Sequence, residues 1–202
     1  MQRAKQNGGK ATKDIVKDTE RDTVKDTERH IVKDAENHDA LLTVSEVKLY
    51  DRQIRLWGMN HQQQLKNSRI LIINSTGLSH EIAKNLVLFG VGSLTIVAST
   101  NCNSHSNTAH QFLLHSLPFS LQRVADSLQA LNPIVKVACN HTALAQITNE
   151  FFKSFDLVCI ARGTVDEIER INLVCRDNKI GFWACDTFGG RAWSFCDMGT
   201  LS

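Results

Sequence analysis

The sequence predicts an α/β fold: a mostly parallel sheet with helices on both faces. Three observations predict it. From Arg69 onward, short runs of Ile, Val and Leu alternate with segments of helical apolar spacing, the order that builds parallel sheets. Residues 50–97, YDRQIRLWGMNHQQQLKNSRILIINSTGLSHEIAKNLVLFGVGSLTIV, hold a complete strand–turn–helix–strand unit of the nucleotide-binding, Rossmann-like kind. Apolar residues make up 42% of the 202, enough for a core, but few large ones fall before residue 40.

Taken in order, residues 1–39 hold nine Lys/Arg and nine Asp/Glu. Such a segment buries too little apolar surface to offset its ordering entropy, which predicts a disordered tail over 1–40 and one α/β domain over 41–202. The tail repeats every eight residues: VKDTERDT from Val16, VKDTERHI from Val24, VKDAENHD from Val32. Eight helical residues turn successive Val positions by about 80°, so no apolar stripe forms and a coiled coil is not expected.

Ser45 to Gly58 reads as a helix with Ser45 as N-cap and Glu46 in the first turn, where the dipole favours an anion. Gln62 to Lys66 is a second short helix. Arg69 to Asn74 brackets Ile and Leu as a strand buried on both faces does. The turn Asn74 to Ser79 leads into a helix with apolar Ile82, Ala83, Leu86, Val87 and Phe89, ended by Gly90; Leu94 to Val97 is the next strand. Ala98 to His110, rich in Asn, Ser, Thr and His, is a loop. A helix is expected over Ser120 to Leu131, stopped by Asn132-Pro133. Beyond it the pattern predicts a strand (Ile134 to Ala138), a helix (Leu144 to Phe152), a strand (Asp156 to Ala161), a helix (Thr164 to Asp177), and strands over Ile180 to Cys185 and Arg191 to Met198.

Composition excludes several classes. The net charge of +2, with no dense basic stripe, argues against nucleic acid as a partner. No apolar run approaches the roughly 20 residues of a membrane helix. The N-terminus lacks the apolar stretch of a secretory signal, so a reducing compartment is expected. The six cysteines (Cys102, Cys139, Cys159, Cys175, Cys185, Cys196) form no CxxC pair, and most read as packing residues rather than zinc ligands. His105, His110 and His115, five apart, suit no single helix face, and no metal site is expected.

The motif that should hold a nucleotide is degraded. A phosphate-binding turn needs glycines so that backbone N–H groups and a helix N-terminus can approach the phosphates. Residues 74–80 read NSTGLSH, with Gly77 as the lone glycine between Asn74 and Ser79. The carboxylate that would hold the ribose at the end of the second strand is replaced by Ala98, followed by Ser99 and Thr100. No nucleotide or other cofactor is therefore expected on this chain. Attention passes to Asp51–Gly58, where Arg52 and Arg55 lie three apart on one helix face and Ile54 and Trp57 on another. Spacing alone leaves open whether the arginines are a solvated face or a functional pair.

The segments YDRQIRLWG, AKNLVLFGVGSLTI, QFLL (111–114), LNPIVKV, FFKSFDLV and ACDTFGGRAWSF resemble the small subunits of SUMO-activating enzymes, within the ThiF/MoeB-like adenylation fold. The resemblance covers roughly Val44 to Gly199. It implies a ThiF-type domain that pairs as a heterodimer with a large catalytic subunit. That partner binds ATP and Mg and carries the catalytic cysteine, and the ubiquitin-like modifier is engaged indirectly. It also implies residence in nucleus and cytoplasm. Active members of the family have glycines in the first turn, an Asp after the second strand, an arginine in an NRQF-like motif, a basic residue at a helix start and an Asp in a DxxDN-like loop. This chain has the Asn74–Ser79 turn, Ala98, His110, Pro118–Leu121 and Arg162-Gly163-Thr164 at those places, the pattern of a non-catalytic subunit. The resemblance assigns Arg52 as the arginine donated in trans to the partner's ATP, with Arg55 and Asp51 in support. The family's small subunits are longer, so the end at Ser202 reads as a truncation. Other readings stay open: the regulatory subunit for a Nedd-type modifier, which the NSTG turn also resembles, a stand-alone nucleotide-binding enzyme, or a relic without partner or ligand.

Overall fold

In the computed structural model, strand β1 (Arg69–Ile73) is the centre of the domain. Ile70 and Ile72 point to one side and Leu71 and Ile73 to the other, none more than 3% exposed. A strand apolar on both faces must be covered on both. The structure describes residues 41–97 and 120–199. The predicted tail, Ala98 to Thr100, Cys102, His105, His110, residues 111–114, His115 and Pro118 lie outside them.

Among the described residues three helices precede β1: α1 (Val44–Leu49), α2 (Asp51–Trp57) and α3 (Met59–Asn67). The remaining elements are α4 (Gly77–Phe89), β2 (Ser93–Val97), α5 (Leu121–Leu131), β3 (Lys136–Asn140), a 3-10 turn (Leu144–Gln146), α6 (Asn149–Phe152), β4 (Leu157–Ala161), α7 (Val165–Asp177), β5 (Gly181–Phe188) and β6 (Arg191–Asp197). Among the described residues six strands form one sheet in the order β3-β2-β1-β4-β5-β6. All neighbours are parallel except β5 and β6, which are antiparallel. Strand order reverses between β1 and β4, and the crevice of such a fold opens outside the carboxyl ends of those strands.

The core lies in two layers. On one face Ala83 and Val87 of α4 and Leu121, Val124 and Leu128 of α5 cover Ile70, Ile72, Leu94 and Ile96. On the other, Phe152, Phe155, Ile171 and Cys175 cover Leu71, Ile73, Val158, Ile160 and Phe182. The expected doubly covered sheet is thus present. Among the described residues no helix is long and apolar enough to cross a membrane.

Four local expectations are corrected. The N-terminal helix is capped by Thr43, not Ser45: Thr43 Oγ1 accepts from Glu46 N at 3.3 Å while Glu46 Oε2 accepts from Thr43 N at 2.6 Å, a reciprocal capping box. That helix breaks at Tyr50 (φ −97°, ψ 14°), whose side chain is drawn into the interior. The third strand begins two residues late, because Asn132 uses the chain after Pro133 for a turn, accepting Ile134 N on Oδ1 and Val135 N on its carbonyl. The helix expected over 144–152 is two short pieces, since Ile147 is extended and turns inward at 6% exposure. Of the described cysteines, Cys159, Cys175 and Cys185 are buried as expected, but Cys139 is half-buried and Cys196 is exposed on the edge strand.

Candidate functional site

Helix α2 is seated by its flanks and presents the opposite side to solvent. Tyr50, just before it, accepts from Asn132 Nδ2 through its hydroxyl at 2.8 Å. Gln53 Nε2 donates to the Leu88 carbonyl at 3.1 Å. Trp57 Nε1 donates to Gln62 Oε1 at 3.1 Å, and Gln62, fully buried, donates to the Phe89 carbonyl at 2.8 Å. The Trp57 and Phe89 rings meet edge-on, 5.7 Å between centroids. These contacts fasten α2 to the end of α4, so its orientation is set by the core and not by its own seven residues.

On the outward side lie Asp51, Arg52, Arg55 and Leu56, all exposed. Arg55 Nε sits 3.0 Å from Asp51 Oδ2, an i,i+4 pair that occupies both side chains. Arg52 has neither hydrogen-bond nor ion-pair partner among the described residues. Four positions on, Leu56 is 80% exposed and shares its face. The structure therefore separates the three predicted residues: Asp51 and Arg55 satisfy each other, and Arg52 reaches outward beside an unburied leucine.

At the carboxyl ends of β1 and β4, polar side chains of the turn 74–80 are engaged with the chain itself. Asn74 opens the turn with φ 71°, in the left-handed region that glycine enters most readily. Its N–H donates to the Val97 carbonyl at 2.8 Å, and its Nδ2 donates to the carbonyls of Ala161 at 2.9 Å and Arg162 at 3.2 Å, stitching β1 to β4. Ser75 Oγ and His80 Nε2, both buried, lie 2.7 Å apart. At the start of α4, Thr76 Oγ1 accepts from Ser79 N at 3.1 Å and Ser79 Oγ accepts from Thr76 N at 2.7 Å. Two of the N–H donors that would face a phosphate are thereby taken by side chains. Across the crevice Arg162 Nε lies 3.5 Å from Asp186 Oδ1, with Asp186 only 7% exposed and also accepting from Thr187 N. Thr164 caps α7. Ala98, His110 and Pro118, the other degenerate positions, fall outside the described residues, whereas Leu121 opens α5.

Sequence reasoning missed the polar residues that set this geometry. Asn132 was legible only as a helix stop and Gln62 only as a helix residue, yet both are buried and hold α2. Ser75, His80 and Asp186 are buried polar groups, and buried polar groups find partners; short polar residues between apolar runs are the one signal that could have marked them.

The fold is thus a doubly wound sheet whose first turn holds a single glycine, Gly77, and whose helix α2 offers an arginine. Residues 50–195 match the model of the ThiF family, and the chain belongs to that family. It is similar to SUMO-activating enzyme subunit 1 of Xenopus tropicalis, 37% identical over 164 residues covering 80% of this chain and 47% of that protein. The Homo sapiens protein of that name is 36% identical over 161 residues (78% and 46%), and the Mus musculus protein 38% over 153 residues (74% and 43%). The chain spans about half the length of the curated relatives it matches. Among solved structures, the crystal structure of selenomethionine PaaA shares the fold, with a TM-score of 0.61 at 19% identity over 78% of this chain and 57% of that one.

Proposed function

We propose that this chain is a non-catalytic subunit of a heterodimeric SUMO-activating enzyme and that it lends Arg52 to the ATP site of a large catalytic subunit. The observation that carries the reading is the contrast between an outward Arg52, without a partner among the described residues, on a firmly seated helix and a first turn whose Asn74, Ser75 and His80 side chains are bonded within the chain.

The chemistry suits a guanidinium. In adenylation the modifier's terminal carboxylate attacks the α-phosphorus of ATP, an acyl-phosphate bond forms and pyrophosphate leaves. Negative charge grows on the departing phosphates. An arginine is always protonated and donates in a planar fork that matches phosphate oxygens, so it stabilises that charge without being consumed. ATP and Mg belong to the partner in this reading, as does the cysteine that takes the thioester. Leu56, exposed on the same face, would be buried against the partner as Arg52 enters.

The test is ATP–pyrophosphate exchange by the full chain co-expressed with the large subunit of a SUMO-activating enzyme. Arg52→Ala is expected to lower exchange by about 10²–10³ with the complex intact, the size of one lost transition-state donor, while Arg55→Ala stays within a few-fold. The isolated chain should show no ATP binding by calorimetry. Full exchange in the Arg52 variant, or ATP bound by the chain alone, would overturn the proposal.

A further inference from the structure

We propose that Gln53 and Gln62 are positioning residues that fix the attitude of Arg52 by binding the last two carbonyls of α4. This role rests on the proposal that Arg52 serves the ATP site of a large subunit. The last four carbonyls of a helix have no partner within it. In α4 the N–H groups of Gly90 and Val91 serve Val87 at 3.1 Å and Leu86 at 3.4 Å. Leu88 and Phe89 are served by side chains. Gln53 Nε2 donates to the Leu88 carbonyl at 3.1 Å, and Gln62 Nε2 to the Phe89 carbonyl at 2.8 Å. The two amides come from α2 and α3, so the end of α4 anchors both helices.

The backbone alone does not fix α2. Its seven residues are too few to be stable as an isolated helix. It follows a break at Tyr50 and ends at Gly58, φ 86°, where a Cβ would meet nothing within 4 Å. Gly58 is therefore an unpacked joint between α2 and α3. Across that joint Gln62 Oε1 accepts from Trp57 Nε1 at 3.1 Å, and Gln62 is fully buried. Tyr50, Gln53 and Trp57 stand at i, i+3 and i+7, one helical stripe, and each bonds inward. What this stripe holds is the roll of α2 about its own axis.

Roll decides where Arg52 points. Side chains reach about 5–6 Å from a helix axis, so a roll of about 10° swings one by about 1 Å. A misplacement of about 1 Å costs about 10²-fold in rate where orientation matters. Gln53 carries a second sign of this role. Its Oε1 is shielded from solvent and has no partner among the described residues. An unpaired buried acceptor destabilises a fold. The side chain is therefore explained by where it holds α2 rather than by what it adds to stability.

The test is the kinetics of ATP–pyrophosphate exchange by the full chain co-expressed with the large subunit of a SUMO-activating enzyme. Gln53→Met and Gln62→Met keep the side-chain length and remove the amide. Each is expected to co-purify with the large subunit and to lower kcat about tenfold or more. KM for ATP should stay within about twofold, since the lost interaction is made in the transition state. In an Arg52→Ala background neither should lower kcat by more than about twofold, because the group they position is gone. A side chain that only stabilised the fold would instead give losses that multiply with that of Arg52→Ala. Full exchange by Arg52→Ala would sink the arginine proposal itself. Where Arg52→Ala lowers exchange, a normal kcat in either folded glutamine variant, or losses that multiply, would overturn the glutamine role alone. Should Gln62→Met fail to fold, Gln53→Met decides, since Gln53 is only half-buried.

Discussion

The Tyr50 hydroxyl accepts from Asn132 Nδ2 at 2.8 Å, a buried bond between residues 82 positions apart. Asn132 Nδ2 also donates to the Val87 carbonyl at 2.9 Å, so one amide joins the start of α2, the end of α4 and the end of α5. Gly90 is the counterpart of this arrangement. It takes φ 82° to end α4, and a Cβ there would overlap the Tyr50 ring.

Tyr50→Phe should therefore cost about 1–2 kcal/mol, the value of a buried hydrogen bond with one partner left behind. Gly90→Ala should cost more, about 2–4 kcal/mol, because it adds left-handed backbone strain to a steric overlap. Burial raises the Tyr50 pKa above its ordinary value, against a smaller opposing effect of the Asn132 bond. A raised folded pKa gives stability that is present below the unfolded value near 10 and lost as pH rises through the folded one. Denaturant melts at alkaline pH should show this loss in the unmodified chain and not in Tyr50→Phe.

Asn74 offers a matched comparison. Asn74→Gly keeps the positive φ and gives up the two side-chain bonds to β4; Asn74→Ala gives up both the bonds and the backbone freedom. The alanine variant should be less stable than the glycine variant by about 1–2 kcal/mol in urea melts. Equal stabilities would show that the backbone there relaxes.

Acid sensitivity should come in part from two carboxylates. Asp156 loses hydration on folding, but Arg69 outweighs that through its side chain (Nη2 at 2.9 Å, Nε at 3.2 Å) and its backbone N at 2.8 Å, and holds the pKa below the usual range. Glu46 is likewise lowered against its own burial, by Lys66 and Thr43. A lowered folded pKa gives stability present above the unfolded value near 4 and lost as pH falls through the folded one. The Asp156 pair is half exposed, so its share is about 1 kcal/mol or less. Asp156→Asn should flatten the acid limb of a stability–pH curve measured between about pH 2 and 5 and leave the neutral plateau nearly unchanged.

On α2, effects on stability and on assembly should separate. Asp51→Asn should cost only about 0.3–0.5 kcal/mol, as exposed i,i+4 pairs do, and Arg52→Ala should fall within about 0.5 kcal/mol of no change. Leu56→Glu should leave the melt of the isolated chain unchanged and abolish co-purification with the large subunit. Retained co-purification would remove Leu56 from the proposed interface.

Much of this was legible in the chain. The Ile and Leu runs of β1, β2 and β4 and the apolar spacing of α4 and α7 fixed the sheet and its coverage, because burial on two faces leaves little choice of residue. Gly90 marked the end of α4 for the same steric reason that it stands in the left-handed region. Helix breaks were less legible: Tyr50 interrupts a good helical sequence because its ring is needed elsewhere, and Ile147 does so because the core takes its side chain. Contacts of long sequence separation decided both. In the candidate site, the loss of glycines could be read directly, and Arg52 could be singled out by resemblance. What could not be read was which partners Asn74, Ser75 and His80 would find, since that depends on which groups β4 and α4 bring within reach.

The edge-on meeting of Trp57 with Phe89, and the indole N–H held by Gln62, place a chromophore five residues from Arg52 with a fixed, half-sheltered environment. With Trp183 and Trp193 replaced by phenylalanine, emission from Trp57 becomes a private optical signal from the arginine-bearing helix. Titrating in a large subunit should shift that colour as solvent leaves, and the shift dates the docking event independently of any turnover.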